Sequence, residues 1–125
     1  MGGNGPRSRI DPTATIGNAH INATSGIVTI GRYSMLGPGV SLVAGTHDMS
    51  KRGVERKRAI LDEGHDITIG NGVFIGSNAT VIGPCRIGDD AVIAAGSVVT
   101  KDVPAGAVVA GVPARIVRRI DFADG

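Results

Sequence analysis

One histidine of this chain lies where a catalytic side chain would be useful. His47 ends an apolar, glycine-rich stretch, and Asp48 opens a polar, strongly charged one. An imidazole titrates near neutral pH, so it can take the proton from a hydroxyl group that becomes a nucleophile. We therefore treat His47 as a candidate general base, the alternative being an ordinary surface histidine. Either Asp48 or a backbone carbonyl could orient its ring, and neighbouring side chains in extended chain usually point apart.

Most of the cations fall into two segments. The chain carries 13 basic and 11 acidic residues, so its net charge hides this clustering. Phosphate-bearing ligands are bound by such cations, and the alternative is a solvated surface. The stretch between the two segments has only two cations, Arg86 and Lys101, which favours a binding role for the clusters. The clustered cations are Lys51, Arg52, Arg56, Lys57, Arg58, Arg115, Arg118 and Arg119.

The other residues that could do chemistry have simpler explanations. His20 and His65 fit structural or surface roles, and Cys85 fits a small buried position better than a nucleophile. Three histidines raise the alternative of a zinc site, as in a zinc hydratase. Their spacings of 27 and 18 residues differ from the closely spaced pairs of such sites, so no metal is expected.

Composition limits the fold and the partners. Val, Ile and Ala each occur 14 times, Leu 3 times, and aromatic residues make up 2% of the 125-residue chain. This argues against a helix bundle, a disordered chain and a module that stacks nucleic-acid bases. No apolar run approaches the roughly 20 residues of a membrane span, and a single cysteine fits a reducing compartment. We expect a cytoplasmic protein with no nucleic-acid or membrane partner.

A six-residue repeat explains this composition. Every sixth position is a β-branched residue or Leu, and the residue four later is small. A turn every six residues allows only very short strands, and three strands close a triangular coil of 18 residues that stacks by parallel pairing. Eleven rungs predict an all-β parallel β-helix of about four coils. The rungs are Ile10, Ile16, Ile30, Leu36, Leu42, Ile69, Ile75, Val81, Ile87, Ile93 and Val99.

The breaks in the repeat predict the organisation of the chain. We expect a lead-in at 1–9, one β-helix domain at 10–120 and a tail at 121–125. The step of fourteen residues from Ile16 to Ile30 predicts a bulge at 22–26, and the longer gap before Ile69 predicts an excursion loop at 48–66. Long loops on rigid scaffolds commonly carry function. After Val99 the pattern fades into a predicted C-terminal cap, with Ile116, Val117 and Ile120 packing down.

Four segments of the chain stand out: 46–48 (THD), 72–77 (GVFIGS), 94–104 (AAGSVVTKDVP) and 111–115 (GVPAR). Together with the repeat they resemble the hexapeptide-repeat acyltransferases, particularly the galactoside, maltose and polysaccharide sugar O-acetyltransferases. The resemblance implies a left-handed parallel β-helix and a homotrimer, with acetyl-CoA bound between subunits and His47 as the base. It implies direct transfer to a sugar-like hydroxyl of a small-molecule or saccharide acceptor. N-acetylation of an amino sugar and a non-catalytic scaffold remain alternatives.

The same resemblance assigns the contacts of CoA. It places Ser77 near the thioester, where its backbone N–H can stabilise an oxyanion. It places Ala95 along the pantetheine arm, with Thr100 and Lys101 further along the groove.

The resemblance also matches Arg115 and Arg118 to the positions that meet the nucleotide phosphates. The acceptor side departs from the sugar enzymes, because Phe74 replaces a frequent Trp. Gly17 and Ser25 lie near the places of the sugar-binding polar residues.

Overall fold

Short strands dominate the computed structural model, which describes residues 7–124. Strands β1 to β11 have two or three residues each, and only the last two strands are longer. One six-residue helix lies within the described residues, in the long loop. In chain order the elements are β1 (Ser8–Ile10), β2 (His20–Asn22), β3 (Val28–Ile30), β4 (Met35–Leu36), β5 (Ser41–Val43), α1 (Gly53–Arg58), β6 (Ile67–Ile69), β7 (Phe74–Ile75), β8 (Thr80–Ile82), β9 (Cys85–Ile87), β10 (Val92–Ile93), β11 (Val98–Val99), β12 (Ala107–Gly111) and β13 (Ala114–Arg119).

The strands form three walls of a triangular prism. The first wall is β1-β3-β6-β9, the second is β4-β7-β10-β12 with β13 at its edge, and the third is β2-β5-β8-β11. Pairing is parallel throughout, except between β12 and β13. In the described part of the first coil the second wall has no strand, and Thr15 takes its place through a parallel bridge to Met35. Four complete coils result, so the predicted all-β parallel β-helix is confirmed.

The six-residue period is visible in the pairing and in the core. Ile69 pairs with Ile87 and Ile75 with Ile93, so one coil takes eighteen residues where the repeat is regular. The rung residues from Ile30 onward are buried, whereas Ile10 and Ile16 of the open first coil are only half-buried. Short strands alternate inward and outward, so each contributes one or two apolar side chains to a narrow core.

Polar side chains tie successive coils together at the corners. The Asp89 carboxylate accepts the backbone N–H of Asn71 at 2.8 Å, and Asn71 accepts that of Arg32 at 2.8 Å. The Asp102 carboxylate accepts the N–H of Arg86 at 2.8 Å. These bonds satisfy backbone groups that strand pairing leaves free where the chain turns. Gly76 lies so close to the next coil that a Cβ there would be 2.6 Å from the backbone nitrogen of Ala95.

Extra residues enter where the chain passes from the third wall to the first, a position that we call the loop corner. Val81 and Ile87 keep the six-residue step there. The second coil inserts the long loop at this corner, between β5 and β6.

The first coil also has extra residues at the loop corner, but not where the repeat predicted them. Ile21 pairs with Leu42 and is therefore a rung that the strict period skips. Asn22 belongs to β2, so the expected bulge at 22–26 is corrected to the residues that follow this strand. The reason is that the turn before β2 is one residue shorter than the template.

The predicted C-terminal cap is a β-hairpin of β12 and β13. Its inner strand contributes Ala107 and Val109 to the core. The expected packing of Ile116 and Val117 is wrong, since they are 49% and 59% exposed, while Ile120 is half-buried. Because β13 pairs with β12 at the edge of the second wall, it extends that wall, and its first residue, Ala114, packs against the core.

The ends of the expected domain fall partly outside the described residues. The lead-in at 1–9 includes residues 1–6, which lie outside them, and β1 begins at Ser8. The tail at 121–125 includes Gly125, which also lies outside.

Candidate functional site

His47 lies at the root of the long loop, immediately beyond the third wall. It pairs with Ile60 in an isolated antiparallel bridge. On either side of this bridge, the Asp48 N–H donates to the Ala59 carbonyl at 2.8 Å and the Leu61 N–H to the Thr46 carbonyl at 3.1 Å. The imidazole is exposed. The segment that leaves the wall (46–48) and the segment that returns to it (59–61) thus fix the backbone of His47, while its ring stays accessible.

A backbone carbonyl orients the His47 ring. Its Nδ1 lies 2.8 Å from the carbonyl oxygen of Arg56, in α1. A carbonyl oxygen only accepts hydrogen bonds, so Nδ1 carries the proton of the neutral ring and donates it. The lone pair is then on Nε2, which is the state that a general base requires.

Asp48 does not orient the imidazole. Its carboxylate accepts the Ser50 hydroxyl at 2.6 Å and the Ser50 backbone N–H at 3.0 Å, which closes a tight turn after His47. These two hydrogen bonds, the hydroxyl first, lower the pKa of Asp48 below its usual range. Of the two possible orienting groups, the backbone carbonyl is the one in contact. The composition of the loop gave no signal for it, because every residue has a carbonyl.

Ser25, a buried side chain in the first coil, anchors both limbs of the loop. Its Oγ accepts the Thr46 N–H at 2.9 Å and lies 3.3 Å from the Thr46 carbonyl oxygen, and its own carbonyl accepts the His65 N–H at 3.2 Å. Beside it, the Asp66 carboxylate accepts the Ile27 N–H at 2.8 Å. The extra residues of the first coil therefore form the seat of the long loop, a role that the sequence did not reveal.

Ser77 and Ala95 lie on adjacent coils at the corner between the second and third walls, which we call the Ser77 corner. The Gly96 N–H donates to the Ser77 carbonyl at 2.9 Å and joins the two turns. Ser77 is half-buried and Ala95 exposed. Within residues 7–124 the Ser77 N–H has no hydrogen-bond acceptor.

The remaining predicted contacts of CoA lie elsewhere on the prism. Thr100 and Lys101 follow β11 at the loop corner, two coils beyond the loop, and both are exposed. Arg115 and Arg118 are exposed on β13, opposite Ala110 and Val108.

Within one chain, the candidate residues lie in separate places. His47, Thr100 and Lys101 lie at the loop corner, and Ser77 and Ala95 lie across the third wall, about 10 Å wide for three-residue strands. A shallow groove of about 650 Å³ lies on the first wall, lined by Arg9, Asp11 and Arg32 among others, and includes none of the candidates. The fold therefore brings the predicted residues to two corners and one hairpin, and not into one pocket.

The described part of the chain has neither a metal-binding group of side chains nor a membrane-spanning helix. Between residues 7 and 124, no three His, Cys, Asp or Glu side chains come together as a metal site would require. No helix in this range has the length and apolar character needed to span a bilayer.

Comparison with known families and proteins agrees with the repeat. The family described as "Bacterial transferase hexapeptide (six repeats)" matches residues 66–101. Galactoside O-acetyltransferase of Escherichia coli is 43% identical over 101 residues, which is 78% of this chain and 46% of that protein. The chain thus spans about half the length of this relative.

Solved structures extend the likeness to the whole fold. A hexapeptide-repeat-containing acetyltransferase of Vibrio cholerae, complexed with acetyl-CoA, superposes with a TM-score of 0.81 at 31% identity, covering 93% of this chain and 62% of that one. Another structure of this Vibrio protein gives a TM-score of 0.68 at 30% identity, covering 93% and 72%. A maltose O-acetyltransferase of Clostridium difficile gives 0.69 at 32% identity, covering 92% and 64%.

These structures agree with a left-handed winding of the coils, as the resemblance implied. The likeness extends over both the regular coils and the interrupted ones, since it covers 93% of the chain. On the strength of this shared helix and of the sequence identity that accompanies it, the chain belongs to the hexapeptide-repeat acyltransferase family.

Proposed function

We propose that this protein is an acetyl-CoA-dependent O-acetyltransferase that acts on a sugar or sugar-like hydroxyl. The observation that carries the proposal is the hydrogen bond between His47 Nδ1 and the Arg56 carbonyl, which leaves Nε2 of an exposed imidazole as a proton acceptor. The Vibrio relative was crystallised with acetyl-CoA, and the E. coli and Clostridium relatives carry the names of sugar O-acetyltransferases.

The proposed reaction is a direct transfer. The acceptor oxygen attacks the thioester carbonyl carbon while Nε2 of His47 takes its proton, so a C–O bond forms and an oxyanion develops. The free N–H of Ser77 donates to that oxyanion. Collapse breaks the C–S bond, and the departing CoA thiolate takes the proton back from His47. The products are an acetyl ester and CoA, with His47 returned to its starting state.

The cofactor contacts follow the same proposal. Arg115, Arg118 and Lys101 would pair with the phosphates of CoA, because guanidinium and ammonium groups bind phosphate by charge-assisted hydrogen bonds. The turns at Ala95 and Thr100 would meet the amide-rich pantetheine arm.

The proposal includes a homotrimer with active sites between subunits. One chain separates His47 from Ser77 by the width of the third wall, so a second copy is needed to bring such groups to one site. Outward apolar side chains on the second wall, Met35 at 47% and Phe74 at 45% exposure, offer surface for a closed cyclic assembly. Sedimentation equilibrium should give three times the chain mass. A cytoplasmic location completes the proposal, supported by a lone buried thiol.

The test is a thiol-release assay with acetyl-CoA and a panel of neutral, acidic and amino sugars. His47→Ala should lower kcat by about a hundred- to ten-thousandfold, the usual contribution of a general base. His65→Ala is a matched control, because His65 also has Nδ1 near a carbonyl, that of Glu63 at 3.2 Å, but lies at the far limb of the loop.

Unchanged turnover in His47→Ala would refute His47 as the base. Transfer to amino groups alone would indicate an N-acetyltransferase. Failure to bind CoA at all would favour a non-catalytic scaffold.

A further inference from the structure

We propose that the side chain of Arg56 is a positioning residue that fixes the tautomer of His47. The inference deepens the proposed function and rests on it for its catalytic meaning. Arg56 contacts the site in two ways. Its carbonyl accepts a hydrogen bond from Nδ1 of His47, and its guanidinium donates hydrogen bonds to backbone carbonyls of the segment that follows His47. The backbone contact alone could come from any residue, but the side-chain contact could not.

The helix that carries this carbonyl is held by polar contacts, one of which is the bond from the Asp48 N–H to the Ala59 carbonyl directly after the helix. Helix α1 has six residues, none of them buried, and its N-cap residue Arg52 makes no side-chain capping bond. Isolated helices this short are marginal in water, and packing of an apolar face normally stabilises them. Since α1 lacks such a face, polar contacts must determine where the Arg56 carbonyl lies.

The guanidinium supplies two further polar contacts. Its Nε donates to the Lys51 carbonyl at 2.8 Å and one terminal nitrogen donates to the Met49 carbonyl at 3.0 Å. Two donors of one rigid, planar group thus span the turn that begins directly after His47. This bridge ties α1 to the outgoing limb of the loop and holds the carbonyl in front of Nδ1. A lysine has the same charge but lacks the planar group with several fixed donors.

The chemical consequence concerns the position of one proton. A free neutral imidazole carries its proton more often on Nε2 than on Nδ1. The Arg56 carbonyl reverses this preference, because it accepts only from a protonated Nδ1. If α1 moves away, Nε2 becomes protonated in part of the molecules, and those molecules cannot take a proton from the acceptor.

The test compares Arg56→Gln and Arg56→Lys with Arg58→Gln, a change of equal charge at an exposed position of the same helix. Imidazole ¹⁵N shifts are recorded above pH 8 in histidine-labelled protein, and His47→Ala identifies the signals. We expect wild type and Arg58→Gln to show protonated Nδ1 at His47, and both Arg56 variants to show a mixture. The kcat for acetyl transfer should fall about ten- to a hundredfold in both Arg56 variants, with KM for acetyl-CoA unchanged.

The outcomes separate this inference from the proposed function. An Nε2-protonated ring in the wild type, or a Nδ1-protonated ring in Arg56→Gln, would overturn the positioning role. Full activity in Arg56→Lys would mean that charge and not geometry matters, and would also overturn it. If the tautomers shift as expected but no acceptor is acetylated, the positioning role holds and the proposed function fails. Equal thermal midpoints in the three variants would show that the wall is intact in each.

Discussion

The wall of the prism and the long loop are built by different means. The wall is specified by side-chain size: a β-branched residue or Leu at each rung, buried from Ile30 onward, and a small residue four positions later. The loop holds its shape through hydrogen bonds to backbone groups, at Ser25, Asp48 and Arg56. The comparison teaches that a rigid scaffold can present an exposed histidine on a segment that has almost no core of its own.

The largest expected effect contrasts one rung with one loop residue. Ile75 is fully buried in the second wall, whereas Ile60 is 49% exposed opposite His47. Ile75→Ala should reduce the free energy of unfolding by about 2–5 kcal/mol through lost burial and a cavity. Ile60→Ala should change it by no more than about 0.5 kcal/mol. Urea unfolding at a fixed chain concentration measures both, and a similar cost at the two positions would contradict the contrast.

A sharper comparison uses two serines with the same local role. Ser34 Oγ accepts the Val73 N–H at 3.0 Å and donates to the Gly70 carbonyl at 2.7 Å, within the wall. Ser25 makes the equivalent contacts to Thr46, at the root of the loop. Each change to Ala leaves a partner unsatisfied and should cost about 1–3 kcal/mol.

Only Ser25→Ala should also affect the loop. We expect faster limited proteolysis within 48–66 and reduced acetyl transfer in Ser25→Ala, and neither effect in Ser34→Ala. Equal protease sensitivity in the two variants would show that the first coil does not anchor the loop.

The wall was predictable from sequence because its rule repeats. Ile69, Ile75 and Val81 are all buried β-branched residues six positions apart, so one irregular step elsewhere does not hide the period. The rung at Ile21 was missed because a single shortened turn shifts the register by one residue. His47 was chosen as a candidate base for its chemistry and for its place at the end of the repeat.

The supporting contacts of the loop were not predictable. The Arg56 carbonyl is a backbone group, and nothing in residue identity marks which carbonyl will face a ring nine positions earlier. Ser25 is a small residue whose partners come from another coil. Such contacts occur once each, so they leave no pattern. Ile116 and Val117 were expected to pack down as part of a cap, but they are exposed because β13 pairs with the edge of the second wall, which depends on tertiary geometry.

Thiol reactivity provides a third contrast. Burial first, and the nearby Asp102 second, raise the pKa of Cys85 to about 11. Position 54 in α1 is 57% exposed, so Val54→Cys places a second thiol on the loop. At pH 8 the thiol at 54 should react with a disulfide reagent more than about a hundredfold faster than Cys85, because the thiolate is the reactive form.

The raised pKa also has a consequence for stability. Since the folded protein holds the Cys85 proton more tightly than the unfolded chain does, this contribution is present below pH 9 and is lost as pH rises through about 11. Cys85→Ala should remove that part of the alkaline destabilisation. Rapid labelling of Cys85 in the native state at pH 8 would show that the wall opens more readily than its packing implies.

The smallest expected effect compares two turns of the same chemistry. In the wall, the Asp11 carboxylate accepts the Thr13 N–H at 2.9 Å and the Thr13 hydroxyl at 2.7 Å, as Asp48 accepts the two groups of Ser50 in the loop. The hydrogen bond from the backbone N–H is the larger cause of the lowered pKa of Asp11, and the hydrogen bond from the hydroxyl is the larger cause for Asp48. Both carboxylates should therefore titrate below the usual value of 3.8.

The consequences of protonation should differ between the two turns. Because the folded pKa values are lowered, the contribution of each turn is present above the unfolded pKa and is lost as pH falls through the folded one. Asp11 lies beside a coil that strand pairing also holds, so its protonation should leave neighbouring amide signals unmoved. Asp48 lies in a loop held by few bonds, so its protonation should shift the amides of Ser50 and Lys51 and speed their hydrogen exchange. Carboxyl ¹³C and amide titrations between pH 2 and 6 would decide it. Parallel behaviour of both turns would mean that the loop is as firmly held as the wall.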